Sequence, residues 1–99
     1  MDITNARVDD NLVVTVAGRL NTSTAPELDN ELETLIGDTE HLVIDFADLV
    51  YISSAGLRVV LSTQKAMNRK GGTLVIRNAK PEIMEVFEMT GFVDFLTIE

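Results

Sequence analysis

Between His41 and Ile76 the sequence runs through an aliphatic stretch, a helix-period segment and a second aliphatic stretch. No other feature restricts the possible folds as much. Leu42-Val43-Ile44 is a continuous apolar run, of the kind found in strands buried on both faces. After it, Leu57, Val60, Leu61 and Met67 recur at helical spacing, and Gly71-Gly72 stops the helix. Thr73-Leu74-Val75-Ile76 is again strand-like. Two strands joined through a helix pair in parallel, and such a crossover is right-handed.

The flanks extend this unit. Ile3 to Val8 and Leu12 to Val16, separated by Asp9-Asp10-Asn11, read as an antiparallel hairpin with the first strand at the edge. Gly18 is expected to end it. Thr24-Ala25-Pro26-Glu27 matches a capping box, with Pro26 in the first turn. Leu28, Leu32, Leu35 and Ile36 form that helix's inward stripe, and Gly37 is its expected stop. Pro81 opens a third helix with Ile83, Val86 and Phe87 inward, and Thr90-Gly91 closes it. Phe92 to Phe95 reads as a single turn, and Leu96-Thr97-Ile98 as a last strand. The expectation is one α/β domain over residues 1–99, with a mostly parallel sheet of about five strands, an N-terminal antiparallel hairpin and three to four helices.

Composition removes several functions. Cysteine is absent and His41 is the single histidine, which excludes disulfides, thiolate metal sites and histidine-rich centres. Sixteen acidic residues face eight basic ones, a net charge of −8, which disfavours nucleic acid or an anionic membrane as partner. No apolar run reaches the roughly 20 residues of a membrane span, and the N-terminus lacks the pattern of a secretory signal. A cytoplasmic protein without metal or cofactor is expected.

Chemistry concentrates where the chain leaves the central strand, at Asp45-Phe46-Ala47-Asp48-Leu49-Val50-Tyr51-Ile52-Ser53-Ser54-Ala55-Gly56-Leu57-Arg58. This stretch is expected to cross a loop and deliver two serines to the start of the second helix. One of them is expected to cap it, and a hydroxyl in that place is also well sited to carry a phosphate. A serine hydrolase lacks its parts: the surroundings are not Gly-x-Ser-x-Gly, and His41 starts the strand at the opposite end of the sheet. Asp45 and Asp48 read as turn-forming residues: an aspartyl-phosphate acceptor also needs an acidic pair at its first strand to hold Mg²⁺, and the first strands end in Arg7-Val8 and Arg19-Leu20. Gly56 is either a tolerated helix defect or a point of close approach by a partner. Arg58, Ser62, Lys65 and Arg69 share the outer face of the second helix. In so acidic a chain they form a candidate docking stripe for an acidic surface.

Three segments together resemble the anti-sigma-factor antagonists of the STAS domain family. They are Val16-Ala17-Gly18-Arg19-Leu20-Asn21-Thr22-Ser23-Thr24-Ala25, Leu42-Val43-Ile44-Asp45-Phe46 and Tyr51-Ile52-Ser53-Ser54-Ala55-Gly56-Leu57, the last being the most specific. Gly71-Gly72 and Met89-Thr90-Gly91-Phe92 also fall where such proteins have similar residues. The resemblance implies a partner switch. An anti-sigma serine kinase is bound by the unphosphorylated antagonist and phosphorylates it on the first hydroxyl of an Asp-Ser-Ser/Thr-Gly-Leu motif, and a serine phosphatase restores it. Aligned on Gly56-Leu57, the acceptor is Ser54. Asn21, Thr22, Ser53, Gly56 and Arg58 are implied to line the docking surface of a monomer or weak dimer. The motif's Asp is Ser53 here, its second hydroxyl is Ala55, and the acid common after Gly-Arg-Leu is Asn21. The competing expectations are a small flavodoxin-like enzyme using Asp45 or Ser54 as nucleophile, and a STAS module that senses a nucleotide.

Overall fold

A computed structural model describes all residues, 1–99. The chain forms β1 (Asp2–Val8), β2 (Asn11–Leu20), α1 (Ala25–Leu35), β3 (His41–Asp45), β4 (Leu49–Ile52), α2 (Ser54–Arg69), β5 (Thr73–Arg77), α3 (Pro81–Thr90) and β6 (Thr97–Ile98). Short 3₁₀ turns at Ile36–Asp38 and Phe92–Asp94 complete it. The sheet order is β1-β2-β3-β5-β6, with β4 paired to β2 off this path. Only β1–β2 is antiparallel. The α/β class, the hairpin and the parallel remainder agree with expectation.

Every helical crossover steps in the same direction along this order. Right-handed connections then put all three helices on one face. That face holds the core: Leu12, Val14 and Val16 of β2, Leu42 and Ile44 of β3, and Leu74 and Ile76 of β5 pack under Leu28, Leu32, Val60, Met67, Ile83 and Phe87. Phe46 stacks on Phe87 with ring centroids 6.4 Å apart. The opposite face has no second layer. Val13, Val43 and Val75 form one row across it by register. Val43 is only 4% exposed, yet it lies outside the contiguous core. The apolar run Leu42-Val43-Ile44 is therefore buried on one side by helices and on the other by cross-strand neighbours.

Several local expectations are corrected. Gly18 does not end β2. It takes φ +100°, its N–H donates to the Asp48 carbonyl (3.0 Å), and the register shifts between Gly18 and Arg19 while the strand continues to Leu20. This bulge opens a place for β4, a strand where the sequence predicts a loop. β4 pairs only with the tail of β2, at Gly18↔Leu49, Arg19↔Tyr51 and Leu20↔Ile52. The capping box at α1 is also absent. Thr24 has φ −97° and ψ −20°, and its side chain caps no helical N–H. Its hydroxyl instead donates to the Arg19 carbonyl (2.8 Å) and accepts from the Asn21 N–H (2.8 Å). Along α1, Ala25, Leu28 and Leu32 are buried, whereas Leu35 and Ile36 are half-buried. The end of α1 is not a glycine stop, because Gly37 sits inside the 3₁₀ turn. Lys70 supplies the cation there, donating from Nζ to the Ile36 and Gly37 carbonyls.

Candidate functional site

The β2–β4 pair brings two distant segments together. Leu20 faces Ile52 in register, and the Ser53 N–H donates to the Leu20 carbonyl (2.9 Å). The Asn21–Thr24 loop therefore lies against the junction where β4 becomes α2.

Each segment is fixed locally. The Asn21 carboxamide oxygen accepts from the N–H groups of Ser23 (3.0 Å) and Thr24 (3.1 Å), an Asx-type turn that holds the loop by its own side chain. Asn21 is half-buried and Thr22 exposed. On the other side Ser53 is the N-cap of α2, with extended φ −96° and ψ 176°. Its Oγ accepts from the Gly56 N–H at 3.4 Å, a long bond at the edge of useful geometry. The capping role thus falls to Ser53. Ser54 is the first helical residue, it is exposed, and its hydroxyl has no protein partner.

Gly56 requires a correction. It is buried, and the close approach it permits is intramolecular. A Cβ built there would stand 2.7 Å from Leu20 Cγ and 2.9 Å from both Ile52 Cγ1 and Leu20 Cδ2. Gly56 therefore lies beneath the surface formed by its neighbours, seating α2 on the β2–β4 pair. Arg58 is exposed and lines a shallow depression of about 270 Å³ with Thr22, Ala25, Pro26, Asp29 and Ala55. The rest of the basic stripe, Ser62, Lys65 and Arg69, is exposed as expected. Ser62 and Arg69 also line a hollow of about 260 Å³ shared with Asp29 and Glu33 of α1.

One feature of this surface was missed. The Arg19 guanidinium lies 4.3 Å from the centroid of the Tyr51 ring, the two residues being register partners. With Val50 54% and Tyr51 40% exposed, β4 presents apolar surface beside the serines. The run Leu49-Val50-Tyr51-Ile52 carried a strand signal, but its length of four residues and its place between polar turns masked it.

The remaining candidates lie elsewhere or do other work. Asp45 accepts from the Ala47 N–H (2.9 Å) and from Asn78 Nδ2 (3.2 and 3.3 Å), which is the turn role expected of it. His41 starts β3, with Nδ1 2.9 Å from Thr73 Oγ1 at the start of β5, the opposite strand end from Ser54. No imidazole therefore reaches the serines to serve as base. No three His, Asp or Glu side chains converge as a metal site would need. No helix is long and apolar enough to cross a membrane.

The geometry defines a class: a one-sided α/β domain that presents a loop and a helix N-terminus with an uncommitted hydroxyl. The STAS domain model matches residues 2–99, and the chain belongs to that family. It is 37% identical over 99 residues to BtrV of Bordetella bronchiseptica, a protein named as an anti-sigma factor antagonist, covering 99% of this chain and 85% of that one. It is 30% identical over 90 residues to the anti-sigma-B factor antagonist of Bacillus subtilis, covering 91% and 83% respectively. The fold matches the Bacillus cell fate determinant SpoIIAA in its phosphorylated form with a TM-score of 0.77 at 19% identity, covering 99% of this chain and 91% of that one.

Proposed function

We propose that this chain is an anti-sigma-factor antagonist acting as a partner switch in the cytoplasm, a regulatory binding module rather than an enzyme. Unphosphorylated, it docks on an anti-sigma serine kinase through Thr22, the Asn21 loop, Ser53 and Arg58. The kinase transfers the γ-phosphoryl group of ATP to Ser54 Oγ, ADP leaves, and the hydroxyl proton passes to a base on the kinase. The phosphorylated form is released, and a serine phosphatase resets it.

One observation carries this reading: the Ser54 hydroxyl is exposed at the first position of α2, while the capping bond is made by Ser53. Ser54 can be modified without breaking a bond of the fold. The helix N-terminus favours the added charge of about −1.5 to −2. With no imidazole beside it, Ser54 suits the role of acceptor better than that of nucleophile. The names of BtrV and of the sigma-B antagonist support the assignment, as does the phosphorylated form of SpoIIAA.

The test is incubation with the cognate anti-sigma kinase and ATP, followed by mapping of the phosphate by mass spectrometry. Phosphate on Ser54 is expected, and phosphate confined to Ser53 or to threonines refutes the assignment. Ser54→Asp is expected to lose kinase binding. Wild-type affinity in that variant would remove charge exclusion as the release mechanism.

A further inference from the structure

Arg58 is the uncommitted cation of the α2 N-terminus. The one ion pair in the structure is Arg77–Glu99, at 3.8 Å on the β5–β6 edge. Arg19 is occupied by the Tyr51 ring, and Lys70 by the carbonyls ending α1. Arg58 makes no hydrogen bond to the protein and is exposed in the depression beside Thr22 and Ala55. It stands four residues after Ser54 on the same helix. Residues at this spacing are neighbours on the helix surface, with Cβ atoms about 5–6 Å apart. Helical side chains lean toward the N-terminus, so the turn that carries Ser54 is within reach of the Arg58 guanidinium, which in the unmodified chain lines the depression beside Ala55.

We propose that Arg58 is the intramolecular counter-ion of phosphorylated Ser54. In the unphosphorylated chain its charge faces outward, available to an acidic partner surface. In the phosphorylated chain the guanidinium turns onto the phosphate, a planar donor fork meeting oxygens it can bind in a bidentate way. Phosphorylation then changes the docking surface twice. It adds negative charge at residue 54 and withdraws a positive charge at residue 58. This inference rests on the reading of Ser54 as the phosphoacceptor and adds the residue through which that phosphate acts. Asp29 of α1 is the other charged group in the depression. It opposes the phosphate and draws on the same guanidinium.

The experiment places phosphoserine at position 54 of the full chain by genetic encoding, with no kinase involved, and follows the phosphate by ³¹P NMR through its second ionisation. The dianion gains more from Arg58 than the monoanion does. The phosphate of the otherwise wild-type chain is therefore expected to titrate about 0.5 pH unit below that of Arg58→Gln, with Arg58→Lys between them. The gap is expected to shrink in about 1 M salt, where screening is over ~3 Å. Asp29 is common to all three chains, so the difference isolates residue 58. A difference below about 0.2 unit between wild type and Arg58→Gln overturns the proposal, and a larger one sustains it. Because the phosphoserine is installed directly, coincident titrations would leave the kinase assignment standing. A kinase that ignores Ser54 would likewise leave the titration result standing.

Discussion

Gly56→Ala sets two well-measured effects against each other at one atom. Helix propensity alone predicts stabilisation, because alanine is favoured over glycine within a helix by about 1 kcal/mol. Packing predicts the opposite. The new methyl would stand 2.7 Å from Leu20 Cγ and 2.9 Å from Ile52 Cγ1, and ordinary contact begins near 3.4 Å, so α2 must lift from the sheet by roughly 0.7 Å or both side chains must shift. Neither has room to yield, since Leu20 is 0% and Ile52 5% exposed. Overpacking of this kind costs about 1–3 kcal/mol, occasionally more. Taken at the middle of that range, about 2 kcal/mol, the packing cost exceeds the propensity gain by about 1 kcal/mol, which for a domain of this size is a fall in Tm of about 4–8 °C. Urea denaturation of the two proteins measures it. A double-mutant cycle with Leu20→Ala identifies the cause, because the double variant is expected to be more stable than the sum of the single losses. A Gly56→Ala protein as stable as wild type would refute the account of how α2 is seated, and so would strict additivity in the cycle.

Further predictions concern residues whose roles the structure separates. Ser53→Ala should lower unfolding free energy by about 0.5–1 kcal/mol, the low end for a cap because its bond is long, whereas Ser54→Ala should stay within about 0.5 kcal/mol of wild type, both by denaturant titration. Thr24→Val should cost about 0.5–1.5 kcal/mol, because the part-buried Asn21 N–H and the exposed Arg19 carbonyl exchange the hydroxyl for water, while Glu27→Ala should change little since no capping box exists to break.

Much of the architecture was legible from pattern. The aliphatic runs at Leu42–Ile44 and Leu74–Ile76, the inward Leu57, Val60 and Met67 of α2 and Pro81 at the head of α3 sit where local pattern put them, whereas Leu61 lies outside the core, and Val59 and Thr63 are buried on that helix. Gly91, in the left-handed conformation with φ +79°, ends α3 as expected. The failures share a cause. β4, the continuation of β2 through Gly18 and the diversion of the Thr24 hydroxyl all depend on one long-range event, the pairing of the β2 tail with the distant segment Leu49–Ile52. Local sequence does not encode that event. Once Leu20 meets Ile52, the Arg19 carbonyl and the Asn21 N–H are held where Thr24 can reach them, and a local capping motif loses to a tertiary hydrogen bond. The same event assembles the candidate site. Asn21, Thr22, Ser53 and Ser54 were individually legible, but the Arg19–Tyr51 pair and the inward role of Gly56 were not.

The division of labour between Ser53 and Ser54 limits how far a signal at this site can travel. The hydroxyl bonded to the helix belongs to one residue and the hydroxyl offered to solvent to the other, so a chemical mark on the second breaks none of the hydrogen bonds that hold α2 in place. The interior keeps no record of it. Any protein that responds must read the mark by touch, at the few square nanometres around the start of α2. A partner bound to the bare face of the sheet would be blind to it.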